Sequence, residues 1–282
     1  KEGEEGKVYK LQKALYGLKQ APRAWYSRLD AFFTQNHFDK SENEPTLYIK
    51  RVSKAEYLVV CVYVDDIIYV SPSERLLSEF RTKMMQEFEM TDLGRLNYFL
   101  GLEVHQSDEG ISVSQQKYAG DLLKKFKMEE CDIAITPMNT NEKLQREDGT
   151  GAADERLYRS MVGGLNYLTH TTPDIAYSVS MVSRFLHSPS KQHLGAAKRI
   201  LRYVAGSTRK GIWYKHSENF KLIGFTNSDW AGSLDDRKST SGSVFTLGSG
   251  VITWSSKKQE TVALSSTEAE YVASGAAGRQ AV

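Results

Sequence analysis

Trp25, Leu29, Phe32 and Phe33 stand at i, i+4, i+7 and i+8, a single apolar stripe that predicts an amphipathic helix beginning near Pro22. Pro22 suits its first turn, where a missing N–H is not needed. The helical spacing then stops: "TLYIKRVSKAEYLVVCVYV" and "IIYV" are rich in Val, Ile and Tyr and predict antiparallel strands joined by a tight turn. Helical spacing returns in "SPSERLLSEFRTKMMQEFEM", which opens with Pro72 and a Ser73 cap. "LNYFLGLEVHQ" and "ISVSQ" predict a hairpin across "SDEG", and "QKYAGDLLKKFKM" a further helix.

Residues 129–153 are polar, hold Pro and Gly, and have no apolar period, so they read as a linker or long loop. Helical segments follow at 154–168, 174–187 and 190–205; in the last, Ala197, Ile200, Leu201 and Val204 form a stripe flanked by Lys198, Arg199 and Arg202. From about 218 the pattern reverts to strands, "KLIGF", "GSVFTL" and "VITW", and then to a helix, "STEAEYVASGAAG". The expected fold class is α+β.

Composition changes little: 282 residues, 40% hydrophobic, 26% charged and a net charge of +2 describe an ordinary globular chain of roughly two domains. Cys61 and Cys131 are too few for a disulfide scaffold and have no metal-binding setting, so a reduced intracellular compartment is expected, not secretion. No apolar run approaches the ~20 residues that span a bilayer.

Charge placement says more. Gly6–Leu29 holds six Lys/Arg and no acid, and Ile175–Ser217 holds eight and no acid. Such tracts suit a polyanion, since Lys and Arg displace counterions from phosphates; they equally suit solvated faces balanced by acids elsewhere. The six histidines are dispersed without Cys or acid at zinc-ligand spacing, and no phosphate loop or nucleophile elbow occurs.

One stretch carries chemistry. In "YLVVCVYVDDIIYV" every residue is apolar or aromatic except Asp65 and Asp66. Buried unpaired carboxylates are costly, and adjacent ones repel, so both stay ionised only beside cations. Mg²⁺ is held through one or two carboxylates plus substrate phosphates. A plain Asp-rich turn is the alternative.

"YKLQKALYGLKQAPRAWY", "CVYVDDIIYV", "LNYFLGLEV", "YRSMVGGLNYLTHTTPDIAYSVSMVSRF", "HLGAAKRILRYVAGS" and "VITWSSKKQETVALSSTEAEYVA" together resemble the reverse transcriptase region of copia-type LTR retrotransposon Pol polyproteins. The resemblance implies a partial right-hand palm at 1–128, the linker at 129–153, a helical thumb or connection at 154–217, and an incomplete RNase H-like α/β domain at 218–282. It implies metal-binding acids at Asp65 and Asp66, and a primer-contacting aromatic at Tyr63. Lys19, Gln20, Pro22 and Arg23 resemble the motif under template and nucleotide, and Phe99, Leu100 and Gly101 the primer grip. Lys198, Arg199 and Arg202 are expected on nucleic acid, and Glu270 matches the helix acid of an RNase H site. Mg²⁺, with Mn²⁺ as substitute, an RNA or DNA primer–template and deoxynucleotides are the implied cofactor and partners. The expected location is a cytoplasmic particle or the nucleus.

The chain departs from that pattern twice. The family's first palm acid falls upstream of Lys1, and Asn227 in "FTNSDW" stands where an acid is expected, with further RNase H acids past Val282. A non-catalytic nucleic-acid-binding remnant is therefore the second reading.

Overall fold

A computed structural model describes residues 11, 14, 15, 17–139, 142–217 and 220–281, in two compact units, 1–96 and 97–282. Lys7, Lys10 and Lys13 of the first basic tract lie outside the described residues.

In the first unit, α1 (Ala21–Gln35) carries Pro22 in its first turn, and its stripe buries Leu29 and Phe33 fully. The sheet runs β1 (Asp39–Lys40), β2 (Leu47–Arg51), β3 (Tyr57–Tyr63), β4 (Asp66–Val70), antiparallel throughout. In β3 alternate residues Leu58, Val60 and Val62 are buried, as a half-covered strand requires. Their core partners are Phe33 of α1 and Leu76, Phe80 and Met84 of α2 (Glu74–Glu87). Ser73 caps α2, accepting the Leu76 N–H at 3.5 Å.

The second unit begins with β5 (Tyr98–Phe99), β6 (Leu102–Ser107), β7 (Gly110–Ser114) and α3 (Gln116–Lys125). The helices α4 (Glu155–Leu168), α5 (Ala176–Ser183) and α6 (Lys191–Ala205) follow, with a 3-10 turn Pro173–Ile175 ahead of α5. Their apolar faces meet in one core around Tyr158, Leu165, Ile175, Ala197 and Leu201. Next come β8 (Gly211–Lys215), β9 (Leu222–Ser228), β10 (Thr240–Leu247), β11 (Gly250–Lys258) and α7 (Ser266–Ala281). β8 joins the order β5-β6-β7-β8; the other sheet is β11-β10-β9.

Three features differ from the sequence expectation. The sequence reading places residues 211–217 in the helical region, yet β8 pairs with β7, and the hairpin at 98–114 lies in the same unit as the helices. The helix expected over 174–187 is shorter, a 3-10 turn Pro173–Ile175 and then α5 to Ser183. The expected linker is a strap laid on α6. Leu144 is buried in the helical core, the Ala134 N–H reaches the Arg202 carbonyl (3.3 Å), and Ala152 bridges to Ser190. Its backbone is met by irregular partners on α6, not a repeating ladder, so no period marks it in sequence.

Candidate active site and nucleic-acid surfaces

The pairing Tyr63↔Asp66 leaves Val64 and Asp65 as a two-residue hairpin loop. Val64 has φ +53°, the left-handed region that hairpin turns need but a β-branched residue avoids, at about 1–2 kcal/mol. The Trp25 indole N–H of α1 donates to the Val64 carbonyl at 2.7 Å. Trp25 itself stands edge-on to Phe88 at 5.3 Å. A helix anchor thus holds a strained turn, and the turn presents the acids.

Asp65 and Asp66 are exposed, not buried among the apolar residues that flank them in sequence, and neither carboxylate makes a hydrogen bond or ion pair within the described residues. Two adjacent unneutralised anions favour a cation between them. Their oxygens are the donors a hard divalent ion takes, with its remaining positions filled by phosphates or water. Among the described residues, no group of three or more His, Cys, Asp or Glu forms around them or elsewhere. Tyr63, on the last position of β3, is exposed beside them. Lys19, Gln20, Pro22 and Arg23 are exposed at the start of α1, and Trp25 fastens that helix end to the acid turn.

Trp25 reads in sequence as one more core position of the stripe; only the fold shows its N–H in use. Replacing Trp25 with Phe keeps the ring and removes the donor. We expect a loss of about 1 kcal/mol in urea unfolding and faster amide exchange at residues 64–66. Unchanged exchange there would rule out the anchor.

In the second unit, Leu100 (φ +48°) and Gly101 (φ +79°) form the loop between Phe99 and Leu102, both left-handed as a type I′ turn requires. The Tyr167 hydroxyl of α4 donates to the Leu100 carbonyl. A Cβ on Gly101 would lie 2.4 Å from that hydroxyl oxygen, so glycine is needed for conformation and for space. Tyr167 is a second positioning residue that sequence patterning does not single out.

Lys198 is exposed on α6, whereas Arg199 and Arg202 are half-buried and engaged: Arg199 donates to the Thr136 hydroxyl (2.9 Å) and Arg202 Nε to the Asp132 carbonyl (2.6 Å). Part of the basic stripe therefore holds the strap.

The remaining acids lie at β9. Glu270 of α7 accepts the Ser228 N–H at 3.1 Å, and the Asp229 carboxylate accepts the Thr240 N–H and lies against Gly232. Asn227 faces Gly242 across the β9–β10 pair. Asp229 closes a loop.

The profile of the family described as Reverse transcriptase (RNA-dependent DNA polymerase) matches residues 1–140. The chain is 43% identical to the retrovirus-related Pol polyprotein from transposon RE1 of Arabidopsis thaliana, over 94% of this chain and 18% of that protein. It is 37% identical to the Pol polyprotein from transposon TNT 1-94 of Nicotiana tabacum, over 99% of this chain and 22% of that protein. A transposon Ty5-1 protein of Saccharomyces cerevisiae is 32% identical, over 94% of this chain and 87% of its own length.

The chain belongs to the reverse transcriptase family of copia-type retrotransposon Pol polyproteins.

It spans about a fifth of the length of those plant Pol relatives. No solved structure matches it. No described helix of this reverse transcriptase segment is long and apolar enough to cross a membrane.

Proposed function

We propose that this segment supplies the carboxylate hairpin and nucleic-acid grips of an RNA-directed DNA polymerase acting on an RNA or DNA primer–template with deoxynucleotides. The observation that carries the reading is the pair of exposed carboxylates at Asp65 and Asp66, without a partner among the described residues, on a turn anchored by Trp25. Asp65 and Asp66 would hold Mg²⁺, or Mn²⁺ in its place. Such ions, when bound, neutralise charge on the oxygens of an in-line displacement. The chain's own groups orient. Tyr63 offers its ring beside the acids, Lys19 and Arg23 offer charge at the start of α1, and the Phe99–Gly101 turn and Lys198 offer contacts to the duplex.

Residues 218–282 fit an RNase H-like segment in which Glu270 is an acid of the site and Asn227 replaces another. An amide supplies an oxygen without charge, so Asn227→Asp alone is not expected to create hybrid cleavage.

A second reading concerns this chain by itself. With no third acid joining Asp65 and Asp66 among the described residues, it is expected to bind primer–template without extending it. The test is a binding titration on an RNA–DNA hybrid across a salt series, run beside a primer-extension assay with Mg²⁺. A log–log slope of roughly −0.7 to −0.9 per contacted phosphate, with no extension, is the expected result. Extension by this chain alone would overturn the second reading; no salt-sensitive binding would overturn the proposal.

A further inference from the structure

The sheet β5-β6-β7-β8 has two unlike faces. Val104, Val113 and Ile212 lie side by side on one. The other presents the rows Glu103–Ser114–Gly211, His105–Ser112–Trp213 and Ser107–Gly110–Lys215. Over this polar face runs a groove of about 560 Å³, to whose lining Arg209 and Asn97 also contribute. Trp213 is 40% exposed. The side chains of His105, Ser112, Ser114, Trp213 and Arg209 make no hydrogen bond or ion pair within the described residues.

Those features select a ligand class. Ser112, Ser114 and Gly211 make a low floor beside an indole and an imidazole, a shape that suits a flat ring. Hydroxyls and an imidazole offer donors and acceptors to ring edges, while Arg209 on the lining and Lys215, one row beyond Trp213, offer charge to a phosphate backbone. The one acid on the floor is turned aside: Glu103 Oε1 accepts the Lys117 N–H at 2.6 Å, at the start of α3. Glu103 also pairs with Tyr98, so the groove continues directly from the Phe99–Gly101 turn along the same strand.

We propose that this groove holds a single-stranded stretch of nucleic acid next to the duplex, with a base stacked on Trp213 and its phosphates near Arg209 and Lys215. The inference rests on the function proposed above. Only unpaired bases have faces free to stack on an aromatic side chain, and such stacking tolerates any sequence.

The test uses the whole chain and fluorescence anisotropy. The probes are a blunt RNA–DNA hybrid, the same hybrid with an oligo(U) or oligo(dT) overhang, and the free oligonucleotides. The overhang is expected to tighten binding about tenfold, and Trp213→Ala to remove that gain while leaving blunt-hybrid binding unchanged. Trp213→Phe keeps most of the gain, and Arg209→Ala lowers the salt slope for the overhang probes by about 0.7. Equal effects on oligo(U) and oligo(dT) assign the groove to stacked bases of either strand; an effect on one alone assigns it to that strand. An overhang gain that is absent, or that survives both Trp213→Ala and Arg209→Ala, overturns the groove and leaves the proposed function standing. Failure on the hybrid with Trp213-dependent binding of free oligonucleotide overturns the proposed function and leaves the groove.

Discussion

Replacing Asp65 and Asp66 together with asparagine is expected to lower Mg²⁺-dependent primer extension by a longer Pol polypeptide carrying this segment on the order of a thousand-fold or more. The amides keep the shape of the turn and one oxygen each, so what is lost is charge. On the function proposed above, a divalent ion would lose its anionic protein ligands, and the phosphates that would share the ion would be left to repel one another. The same substitutions are expected to leave thermal unfolding of the isolated chain unchanged, since both side chains are exposed and have no partner among the described residues. Removing two adjacent like charges relieves repulsion if it does anything. This separates chemistry from folding. Extension that survives the double substitution would remove the carboxylates from the mechanism, and a large fall in melting temperature would mean that they serve the fold.

The largest effect on stability is expected at His193. It is fully buried in α6 and stacks on Phe185, ring centroids 3.8 Å apart. Its Nδ1 accepts the Ser190 N–H at 3.0 Å, completing a reciprocal capping box, so Nε2 carries the proton and donates to the Gln145 carbonyl of the strap at 3.0 Å. Ser190 in turn donates to Asp148, which also accepts from the Thr150 N–H at 2.8 Å. His193→Ala leaves a cavity and strands a buried donor and acceptor, for a loss of about 4 kcal/mol in urea unfolding. A loss below about 1 kcal/mol would mean that the strap does not depend on this ring.

The ring also makes the strap pH-sensitive. Burial pulls the His193 pKa below its ordinary value, against the opposing influence of the Gln145 carbonyl and Asp148. The unfolded chain therefore takes up a proton that the folded chain resists. The stabilisation is complete above the unfolded value near 6.5 and falls as pH drops below it. Hydrogen bonds from Ser190 and Thr150 hold the Asp148 carboxyl down to about 2, so its contribution is present above 3.8 and is lost as pH falls from 3.8 toward about 2. The stability advantage of the native chain over His193→Gln should shrink between pH 8 and pH 5.5. An advantage that stays constant over that range would contradict the neutral Nε2–H tautomer.

Much of this was legible in the sequence, and the reasons are local. The stripe Trp25–Leu29–Phe32–Phe33 is a 3.6-residue period, and it became α1 with Leu29 and Phe33 buried. The run "YLVVCVYV" reads as a strand from its density of Val and Tyr, and it became β3; which alternate residues are covered was set by the fold. The turn between β3 and β4 was readable because two carboxylates interrupt an otherwise apolar run. The family was readable from long ordered motifs. "GIWYK" was not: five residues next to a helical region form a strand where β7 offers a partner. The segment 129–153 has no period to read, because irregular contacts to α6 hold it in place.

By itself, then, the sequence determined the periodic elements, the hairpin that carries Asp65 and Asp66, and membership of the reverse transcriptase family, since each depends on neighbours along the chain. Tertiary structure alone decided which side chains were already engaged and which were left open. It joined the Trp25 N–H to the Val64 carbonyl across 39 positions. It drew Arg199 and Arg202 onto the strap across 63 and 70, and gathered Arg209 and Trp213 with His105 and Ser112 along one groove. Such contacts join residues far apart in the chain, and a hydrogen bond formed across that distance leaves no period in the sequence.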